Sequence, residues 1–368
     1  MPAPLTPLIR RLPATVPFVG PETQERRRGR RFRARIGANE SVFGPSPKAI
    51  AAIQAVAAEA WMYGDPELHD LKQALATRLA VRPENVAVGG GIDGLLGDTV
   101  RLFVEPGTAV VTSAGAYPTF NYHVQGFGGR LVTVPYRADR EDPAALLAAA
   151  VREEARLIYM ANPDNPMGSW WQGGIITDMI GQLPDRCTLL LDEAYLEFAP
   201  AGTTPAVDPA DPRVLRFRTF SKAHGPAGLR VGYVLGEAGV IAGYDRIRHH
   251  FGVGRLAQAA AHASLEDEAH LADVVRRVAA ARARIAAIGR ANQLEPLASA
   301  TNFVALDCGR DGGFARRVLA ELLERDVFVR MPGVAPLDRC IRVSAGLAPD
   351  LDVFEAALPQ ALAAAGAA

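Results

Sequence analysis

One lysine lies in a segment whose other residues could support covalent chemistry. Of the 40 basic side chains in this chain of 368 residues, only Lys48, Lys72 and Lys222 are lysines. An arginine stays protonated, whereas a lysine amine can lose its proton and condense with a carbonyl group. Lys48 and Lys72 lie in polar, helix-like stretches. Lys222 lies in residues 219–233, TFSKAHGPAGLRVGY, among hydroxyls and glycines. The sequence therefore predicts that Lys222 forms a Schiff base with a phosphorylated aldehyde.

A glycine-rich segment could bind the phosphate of such a molecule. Residues 89–94, GGGIDG, follow an apolar strand candidate and lead into a helical pattern. Glycines let the backbone approach an anion closely, and free N–H groups at the start of a helix bind phosphate. The segment matches neither the P-loop pattern nor GxGxxG, and alone it is equally consistent with a tight turn.

Polar and aromatic side chains follow three further strand candidates. Asp192 ends LLLD, Tyr195 comes three residues later, Asn165 lies in ANPDNPMG, and Tyr117 lies in GAYP. In a doubly wound sheet the carboxyl ends of the strands meet at one edge. There a carboxylate could keep a pyridoxal ring protonated, the asparagine and Tyr195 could bind its phenolic oxygen, and Tyr117 could stack on it. Singly, these residues are equally a helix cap, a turn and a loop aromatic; together they indicate a pyridoxal-binding site.

The elements that position these residues alternate between strand and helix. Strands are predicted at 85–88, 109–112, 130–134, 157–160, 188–191, 214–217 and 231–235, and helices at 45–59, 67–79, 93–103, 143–154 and 175–183. Apolar strands separated by helices predict an α/β fold in which a mainly parallel seven-stranded sheet is covered on both faces, giving three αβα layers.

The rest of the chain predicts a smaller unit and an arm. A long helical stretch at about 256–292 precedes strands at 303–306, 327–329 and 341–344, which is consistent with an α+β domain. The sequence predicts an extended N-terminal arm at residues 1–44, a large cofactor-binding domain at 45–245 and a small α+β domain at 246–368.

Composition excludes several classes of protein. The formal net charge is zero, which argues against nucleic-acid binding, and the arginine-rich segment 26–35 is interpreted as solvated or acid-paired. No apolar run approaches the length of a membrane span. Cys187, Cys308 and Cys340 lack CxxC spacing, so neither a disulfide framework nor a metal site is predicted. We expect a cytoplasmic enzyme without a metal.

With these motifs the chain resembles the fold type I pyridoxal-phosphate aminotransferases of class I/II, and among them the histidinol-phosphate aminotransferases. The resemblance extends from residue 37 to residue 346, and its most specific segments are DEAYLEF at 192–198, SKA at 221–223 and GLRVG at 228–232. It implies that Lys222 forms the internal aldimine and that Asp192 pairs with the pyridine nitrogen. It also implies that Asn165 and Tyr195 bind the phenolic oxygen and that Tyr117 stacks on the ring.

The resemblance also implies the rest of the site. The implied ligands of the cofactor phosphate are Gly91, Ile92, Asp93, Thr219, Ser221 and Arg230, with Tyr63 supplied by the partner subunit of a homodimer. Arg342 is implied to bind the substrate α-carboxylate through a paired fork, helped by Asn39 and Asn302. Arg330 is implied to bind the distal end of the substrate. The substrates would be a small-molecule amino donor and a 2-oxo acid.

Three positions depart from the family pattern. Phe18 stands where a tyrosine is expected, Met167 replaces a threonine, and Tyr63 precedes glycine rather than proline. The departures concern the substrate rather than the cofactor, and with Arg330 retained they favour a broader range than histidinol phosphate alone. Alternatives are a lyase such as a threonine-phosphate decarboxylase-like enzyme, a cyclase or racemase of the same fold, and a non-catalytic binding protein.

Overall fold

The computed structural model describes residues 4–13 and 18–367. The strands, in chain order, are β1 (Ala34–Arg35), β2 (Val86–Gly89), β3 (Ala109–Ser113), β4 (Arg130–Val134), β5 (Leu157–Ala161), β6 (Thr188–Asp192), β7 (Val214–Thr219), β8 (Gly232–Leu235), β9 (Glu295–Pro296), β10 (Phe303–Asp307), β11 (Val327–Phe328) and β12 (Cys340–Ser344). The helices are α1 (Pro7–Arg11), α2 (Pro21–Arg28), α3 (Pro47–Val56), α4 (His69–Leu79), α5 (Gly91–Phe103), α6 (Pro118–Gly126), α7 (Pro143–Arg152), α8 (Gly173–Gly181), α9 (Ala238–Asp245), α10 (Arg255–Leu265), α11 (Glu268–Ala291), α12 (Gly312–Glu324) and α13 (Ala348–Ala367).

Seven strands form the large sheet in the order β2-β8-β7-β6-β5-β3-β4. β8 runs antiparallel to both of its neighbours, and the other pairs are parallel. The register pairs Asp192 with Ala161 on one side and with Phe217 on the other. The segments that follow β5, β6 and β7 therefore leave the sheet side by side. The predicted mainly parallel seven-stranded sheet is confirmed.

Alternate residues of the buried strands face two different layers of helices. Tyr159 and Leu190 contribute to the core on the side of α5 and α6, whereas Ile158 and Leu189 contribute to the core that includes side chains of α7 and α8. A strand covered on both faces needs apolar residues at successive positions, which explains why these strands are continuous apolar runs. The three-layer α/β fold follows from this pattern.

The predicted long helix after the large sheet is two helices, α10 and α11. Asp267 breaks the stretch because its side chain accepts a hydrogen bond from the N–H of His270 and caps α11. Beyond them, β12, β10 and β9 form an antiparallel sheet, and α12 and α13 pack against each other. These elements bring Arg342, on β12, to the edge of the large sheet where β5 to β7 end.

The N-terminal arm is less extended than the sequence predicts. Its described parts contain the short helices α1 and α2, each beginning at a proline, where the missing N–H costs nothing. Its strand β1 pairs in parallel with β11. Arg28 and Arg30 form ion pairs with Asp326, which fits the interpretation that this arginine-rich segment is partly acid-paired.

Three negative findings apply to residues 4–13 and 18–367. No helix there is long and apolar enough to span a bilayer. No group of three or more histidine, cysteine or acidic side chains there could hold a metal ion. Cys187, Cys308 and Cys340 are buried free thiols.

Candidate active site

One cavity of about 410 Å³ lies where β5, β6 and β7 end. Its walls come from the strand ends, from the N-terminal arm and from residues next to β10 and β12. Most of the residues selected from the sequence line it, namely Asn39, Ile92, Asp93, Tyr117, Asn165, Asp192, Tyr195, Thr219, Ser221, Lys222, Arg230, Arg330 and Arg342. The strand-end side chains therefore meet in one place, as the topology predicts.

Lys222 lies just beyond the end of β7 with its amine in the cavity. Nζ donates a hydrogen bond of 3.0 Å to the backbone oxygen of Asn39 and lies 5.6 Å from the centre of the Tyr195 ring. Burial, together with the charges of Arg342 and Arg230, lowers the pKa of Lys222 to about 8. A lysine with this pKa is partly neutral near physiological pH, so it can act as a nucleophile or a base.

Asp192 ends β6, and two donors fix its carboxylate. The hydroxyl of Tyr159 donates to Oδ2 over 2.7 Å, and the N–H of Ala194 donates to Oδ1 over 2.9 Å. Burial raises the pKa of Asp192 to about 6, and the two hydrogen bonds oppose that rise. The carboxylate is held rigidly in the cavity wall, where it can pair with a cationic ring nitrogen. Sequence reasoning missed Tyr159, because it reads as one more residue of an apolar strand.

Tyr195 and Asn165 place polar atoms close together in the same cavity. The amide nitrogen of Asn165 lies 3.5 Å from the Tyr195 hydroxyl, and that of Asn39 lies 3.1 Å from it. Burial raises the pKa of Tyr195 to about 12, so the hydroxyl keeps its proton and can donate it. Phe303 meets the Tyr195 ring edge-on, with a centroid separation of 5.6 Å, and fixes its orientation.

The start of helix α5 has the geometry of an anion-binding site. Its N-cap, Gly90, has no side chain to bind the first N–H groups of the helix, so they remain available to an anion. Gly91 has a φ of +80°, and a Cβ there would lie 2.5 Å from Nη2 of Arg230. Glycine suits this backbone conformation, and a larger residue would also push the Arg230 guanidinium away from the start of the helix.

Arg230, Ser221 and Thr219 complete this anion-binding region. Nη1 of Arg230 donates to Oγ of Ser221 over 3.1 Å and to the oxygen of Ala227 over 3.1 Å. Oγ1 of Thr219 accepts the N–H of Ser221 over 3.0 Å. Two hydroxyls and a guanidinium thus lie beside the free end of α5, and this donor set matches a phosphate group.

Tyr117 is tied to the same helix end. Its hydroxyl donates to Oδ1 of Asp93 over 2.8 Å, which fixes the plane of its ring across the cavity. Burial and the charge of Asp93 both raise the pKa of Tyr117. The ring presents a flat face on which a planar ligand can stack.

Arg342 is buried beside Asn165, with part of its hydrogen-bonding capacity unused. Nη1 donates to Oδ1 of Asn165 over 2.5 Å, and the guanidinium lies 5.0 Å above the ring of Phe303. Nε is buried without a partner among the described residues. Burial lowers the pKa of Arg342 to about 10. A buried, incompletely satisfied guanidinium favours an anionic ligand.

Arg330 lines the cavity and contacts the N-terminal arm. Nη2 donates to the oxygen of Val19 over 2.8 Å, and the guanidinium lies 5.7 Å from the ring of Phe18. The Phe18 ring in turn lies 6.3 Å from the ring of Tyr117. The arm therefore covers one side of the cavity through these contacts.

Three of the residues selected from the sequence either lie outside the cavity or form hydrogen bonds with other protein groups. The side chain of Asn39 faces the cavity but contacts Ser344 and Tyr195. Asn302 does not line the cavity; its amide nitrogen donates to the backbone oxygen of Asn39 over 3.0 Å. Tyr63 is 75 % exposed, lies outside the cavity and contacts the ring of Phe251 in a tilted arrangement. The roles assigned to these three residues stay predictions.

The donor set of the cavity fits pyridoxal phosphate. The uncapped start of α5 with Arg230 suits a phosphate, and the buried carboxylate of Asp192 suits a pyridinium nitrogen. Lys222 supplies an amine for the aldehyde, and the Tyr117 ring supplies a stacking surface. Each of these groups has the chemistry that one part of the cofactor requires.

Comparisons with known proteins agree with this cavity. The family model for aminotransferase class I and II matches residues 35–357. A histidinol-phosphate aminotransferase from Moorella thermoacetica is 33 % identical over 333 residues, covering 89 % of this chain and 85 % of the relative. Histidinol-phosphate aminotransferase 2 from Pseudomonas aeruginosa is 36 % identical over 334 residues, covering 89 % of each chain. The crystal structure of histidinol-phosphate aminotransferase from Sinorhizobium meliloti in complex with pyridoxal-5'-phosphate is 53 % identical, with a TM-score of 0.95 and 98 % coverage of both chains.

The chain belongs to the class I and II aminotransferases, because the family model matches most of its length. It is a pyridoxal-phosphate-dependent aminotransferase close to the histidinol-phosphate aminotransferases. The predicted family, cofactor and class of reaction are thereby confirmed, and the lyase, cyclase and racemase alternatives are not favoured.

Proposed function

We propose that the chain transfers an amino group from histidinol phosphate to a 2-oxo acid, with Lys222 as the covalent and proton-transferring residue. The charge of the cavity carries the proposal. Lys222 and Asp192 share the cavity with Arg330 and Arg342. Each arginine is held by a neutral oxygen, from Val19 and Asn165 respectively, and within the described chain neither forms an ion pair. Both positive charges are therefore available to anionic substrates.

The cofactor would be held by the residues described above. The N–H groups of Gly91, Ile92 and Asp93 would bind its phosphate with Thr219, Ser221 and Arg230. Asn165 and Tyr195 would donate to the phenolic oxygen, and Tyr117 would stack on the ring. Pyridoxal phosphate, when bound, supplies an electron sink that stabilises negative charge at the substrate Cα.

Lys222 and Asp192 would carry the chemical step. Lys222 would hold the cofactor through its amine, and Nζ would accept the Cα proton of the substrate and give it back during the transfer. The lowered pKa of Lys222 supports this role, because a neutral amine is the active form. Asp192 would keep a proton on the pyridine nitrogen. A lyase would use the same residues on a different Cα bond, but the relatives reported above are all named aminotransferases.

Arg342 and Arg330 would bind the anionic groups of the substrates. We propose that Arg342 binds the carboxylate of the 2-oxo acid, helped by Asn39 and Asn302, and that Arg330 binds a distal anionic group. Phe18 does not contradict a phosphate ester as substrate. Its ring keeps the contacts with Tyr117 and Arg330, so only one hydroxyl is missing relative to a tyrosine.

Comparison of three substrates tests the proposed specificity. We expect kcat/KM for histidinol phosphate to exceed that for histidinol and for histidine by a factor of about 100 or more, or ~2.7 kcal/mol at the transition state. The reason is that a phosphate offers the arginines a dianion, whereas histidinol has no anionic group. Single-turnover spectra with each amine measure the rates. Comparable rates with aromatic, basic and acidic amino acids would contradict the proposal and favour the broader range.

The Arg330→Gln variant tests whether Arg330 binds the substrate phosphate or only holds the N-terminal arm in place. If Arg330 binds the phosphate, the variant loses activity with histidinol phosphate but not with histidinol. The ratio of the two kcat/KM values then falls. If Arg330 only holds the arm at Val19, both substrates lose activity equally, and the assignment to the substrate fails.

We also propose a homodimer in which Tyr63 of one copy completes the phosphate site of the other. Trp61 and Tyr63 are 82 % and 75 % exposed, and the Tyr63 ring lies tilted against the exposed Phe251 ring, with centroids 4.5 Å apart. Exposed aromatic clusters of this kind favour a protein interface. The cluster adjoins the start of α5, because the oxygen of Gly252 lies 3.9 Å from the Cβ position of Gly90.

Mixed dimers test this assembly. Lys222→Ala and Tyr63→Ala chains, exchanged in equal amounts, are expected to recover about a quarter of wild-type activity. Half of randomly paired dimers are mixed, and each mixed dimer has one site with Lys222 and Tyr63 both intact. Tyr63→Ala mixed with the Lys222→Ala/Tyr63→Ala chain forms no such site and is the control. Equal activities in the two mixtures, with exchange verified, would show that Tyr63 does not complete the partner's site and would contradict the shared active site.

The remaining proposals concern domains and location. We propose domain boundaries near residues 44 and 245, with the arm contributing to the small domain and to the dimer. A cytoplasmic location is proposed because the three thiols are unpaired, as a reducing compartment permits.

A further inference from the structure

A buried hydrogen-bond chain leads from strand β12 to the active-site tyrosine. Oγ of Ser344 donates to Oδ1 of Asn39 over 2.8 Å, and Nδ2 of Asn39 donates to the hydroxyl of Tyr195 over 3.1 Å. Oγ of Ser344 also accepts the backbone N–H of Asn39 over 3.1 Å. Ser344, Asn39 and Tyr195 are each less than 5 % exposed. We call these three residues the Ser344 relay.

The relay determines where the Tyr195 proton points. A tyrosine hydroxyl has one donor hydrogen and two acceptor sites. The amides of Asn39 and Asn165 both point N–H groups at its oxygen, so its own hydrogen is left for the cavity. A flipped Asn39 amide would instead accept that hydrogen and turn it away. Ser344 disfavours the flip, because a flipped amide would take away the Asn39 oxygen that accepts its hydroxyl hydrogen.

The backbone around Asn39 supports the same role. Asn39 has a φ of +56°, a conformation that non-glycine residues adopt rarely. In this conformation its backbone oxygen accepts hydrogen bonds from Lys222 and Asn302. On the other side, Ser344 is paired with Phe303 in the β10–β12 ladder, and the Phe303 ring contacts Tyr195 edge-on. Rigid elements therefore hold both ends of the relay.

We propose that Ser344 is a positioning residue that, through Asn39, aims the Tyr195 hydroxyl at the phenolic oxygen of the cofactor. The inference rests on the proposed function, since Tyr195 must contact that oxygen. Ser344 does not line the cavity, so its effect has to pass through Asn39. The relay would couple the protonation of the bound cofactor to β12, the strand that also carries Arg342.

The test is a pH titration of the visible absorption of the holoenzyme. The phenolic oxygen of the cofactor lies next to the carbon that joins Lys222. A hydrogen bond donated to that oxygen stabilises its negative charge. The oxygen then attracts the proton on the attached Lys222 nitrogen less strongly, so the pKa of that nitrogen falls. Losing the bond raises the pH at which that proton leaves. We expect Ser344→Ala to raise the titration midpoint by about 0.5 to 1 pH unit, the size of one neutral hydrogen bond.

A double-mutant cycle makes the test specific. Tyr195→Phe should raise the midpoint at least as much as Ser344→Ala, and Ser344→Ala should add nothing in the Tyr195→Phe background. Ser264→Ala is the matched control, because Ser264 is equally buried and its hydroxyl donates to the Ala260 oxygen of its own helix, away from the cavity. It should leave the midpoint unchanged. Ser344→Thr, which keeps a hydroxyl, should have a titration midpoint close to that of the wild-type protein.

The outcomes separate the relay from the proposed function. If Tyr195→Phe shifts the midpoint and Ser344→Ala does not, or if their shifts add, the relay is wrong. If the wild-type protein has no cofactor band that titrates, or Tyr195→Phe leaves it unmoved, the assignment of Tyr195 in the proposed function is wrong. Should Ser344→Ala fail to fold, Asn39→Gly carries the test, because glycine keeps the positive φ and removes the same amide.

Discussion

Lys222→Arg is expected to abolish amino transfer, lowering kcat by about 10⁴-fold or more, the range seen when a covalent nucleophile is removed. Arginine keeps the positive charge in the cavity but cannot condense with an aldehyde or accept a proton near neutral pH. The variant should also lack the visible band that borohydride bleaches in the wild-type protein. Steady-state turnover and absorption spectra measure both effects.

Lys72→Arg is the matched control for this substitution. Lys72 lies on α4, outside the cavity, and its replacement should leave turnover and spectrum unchanged. Near-normal turnover of Lys222→Arg, with the folded protein verified by thermal unfolding, would remove Lys222 from the chemical step. Loss of activity through unfolding would be visible in the same measurement.

Asp192→Asn is expected to slow removal of the Cα proton by about 10³-fold or more while the cofactor still binds. A neutral amide cannot hold the pyridine nitrogen in its protonated form, and an uncharged ring is a weaker electron sink. The phosphate site and Lys222 are untouched, so binding persists. Stopped-flow spectra of the half-reaction with a Cα-deuterated amine measure the step, because a large isotope effect marks it as rate-limiting.

A purely structural role for Asp192 predicts a different result. Its Oδ1 accepts the N–H of Ala194, as a capping carboxylate would. If Asp192→Asn lowered only the melting temperature and the folded fraction reacted at the wild-type rate, the capping role would suffice. Tyr159→Phe gives a graded comparison, because it removes one donor to Asp192 and leaves the charge in place. Tyr159→Phe should slow removal of the Cα proton less than Asp192→Asn does.

The large sheet could be predicted from the sequence because its strands are clear apolar runs, and turn residues separate them from the helices. Most of the cavity could be predicted because parallel strands deliver their carboxyl ends to one edge. The helix α6 was missed, since residues 118–126 mix polar and aromatic side chains without a clear period. The break between α10 and α11 was missed because a single capping aspartate, Asp267, stops a pattern that is otherwise continuous.

The supporting contacts of the site could not be read from the sequence. Tyr159 and Ser344 lie in strands as apolar as the others, and their role appears only when Asp192 and Asn39 are brought against them. The sequence assigns Asn39 to the substrate, a role that stays a prediction, and it does not show that the Asn39 side chain bonds to Ser344 and Tyr195. Such contacts join residues 33 to 305 positions apart, and local pattern carries no information about them.

Identification of the covalently modified lysine tests directly whether Lys222 holds the cofactor. The purified protein with its cofactor is reduced with borohydride, digested and analysed by mass spectrometry. We expect a pyridoxyl-phosphate adduct on the peptide containing Lys222 and none on the peptides containing Lys48 or Lys72. An adduct on either of those lysines, or a reduced protein with cofactor released and no peptide labelled, would contradict this assignment.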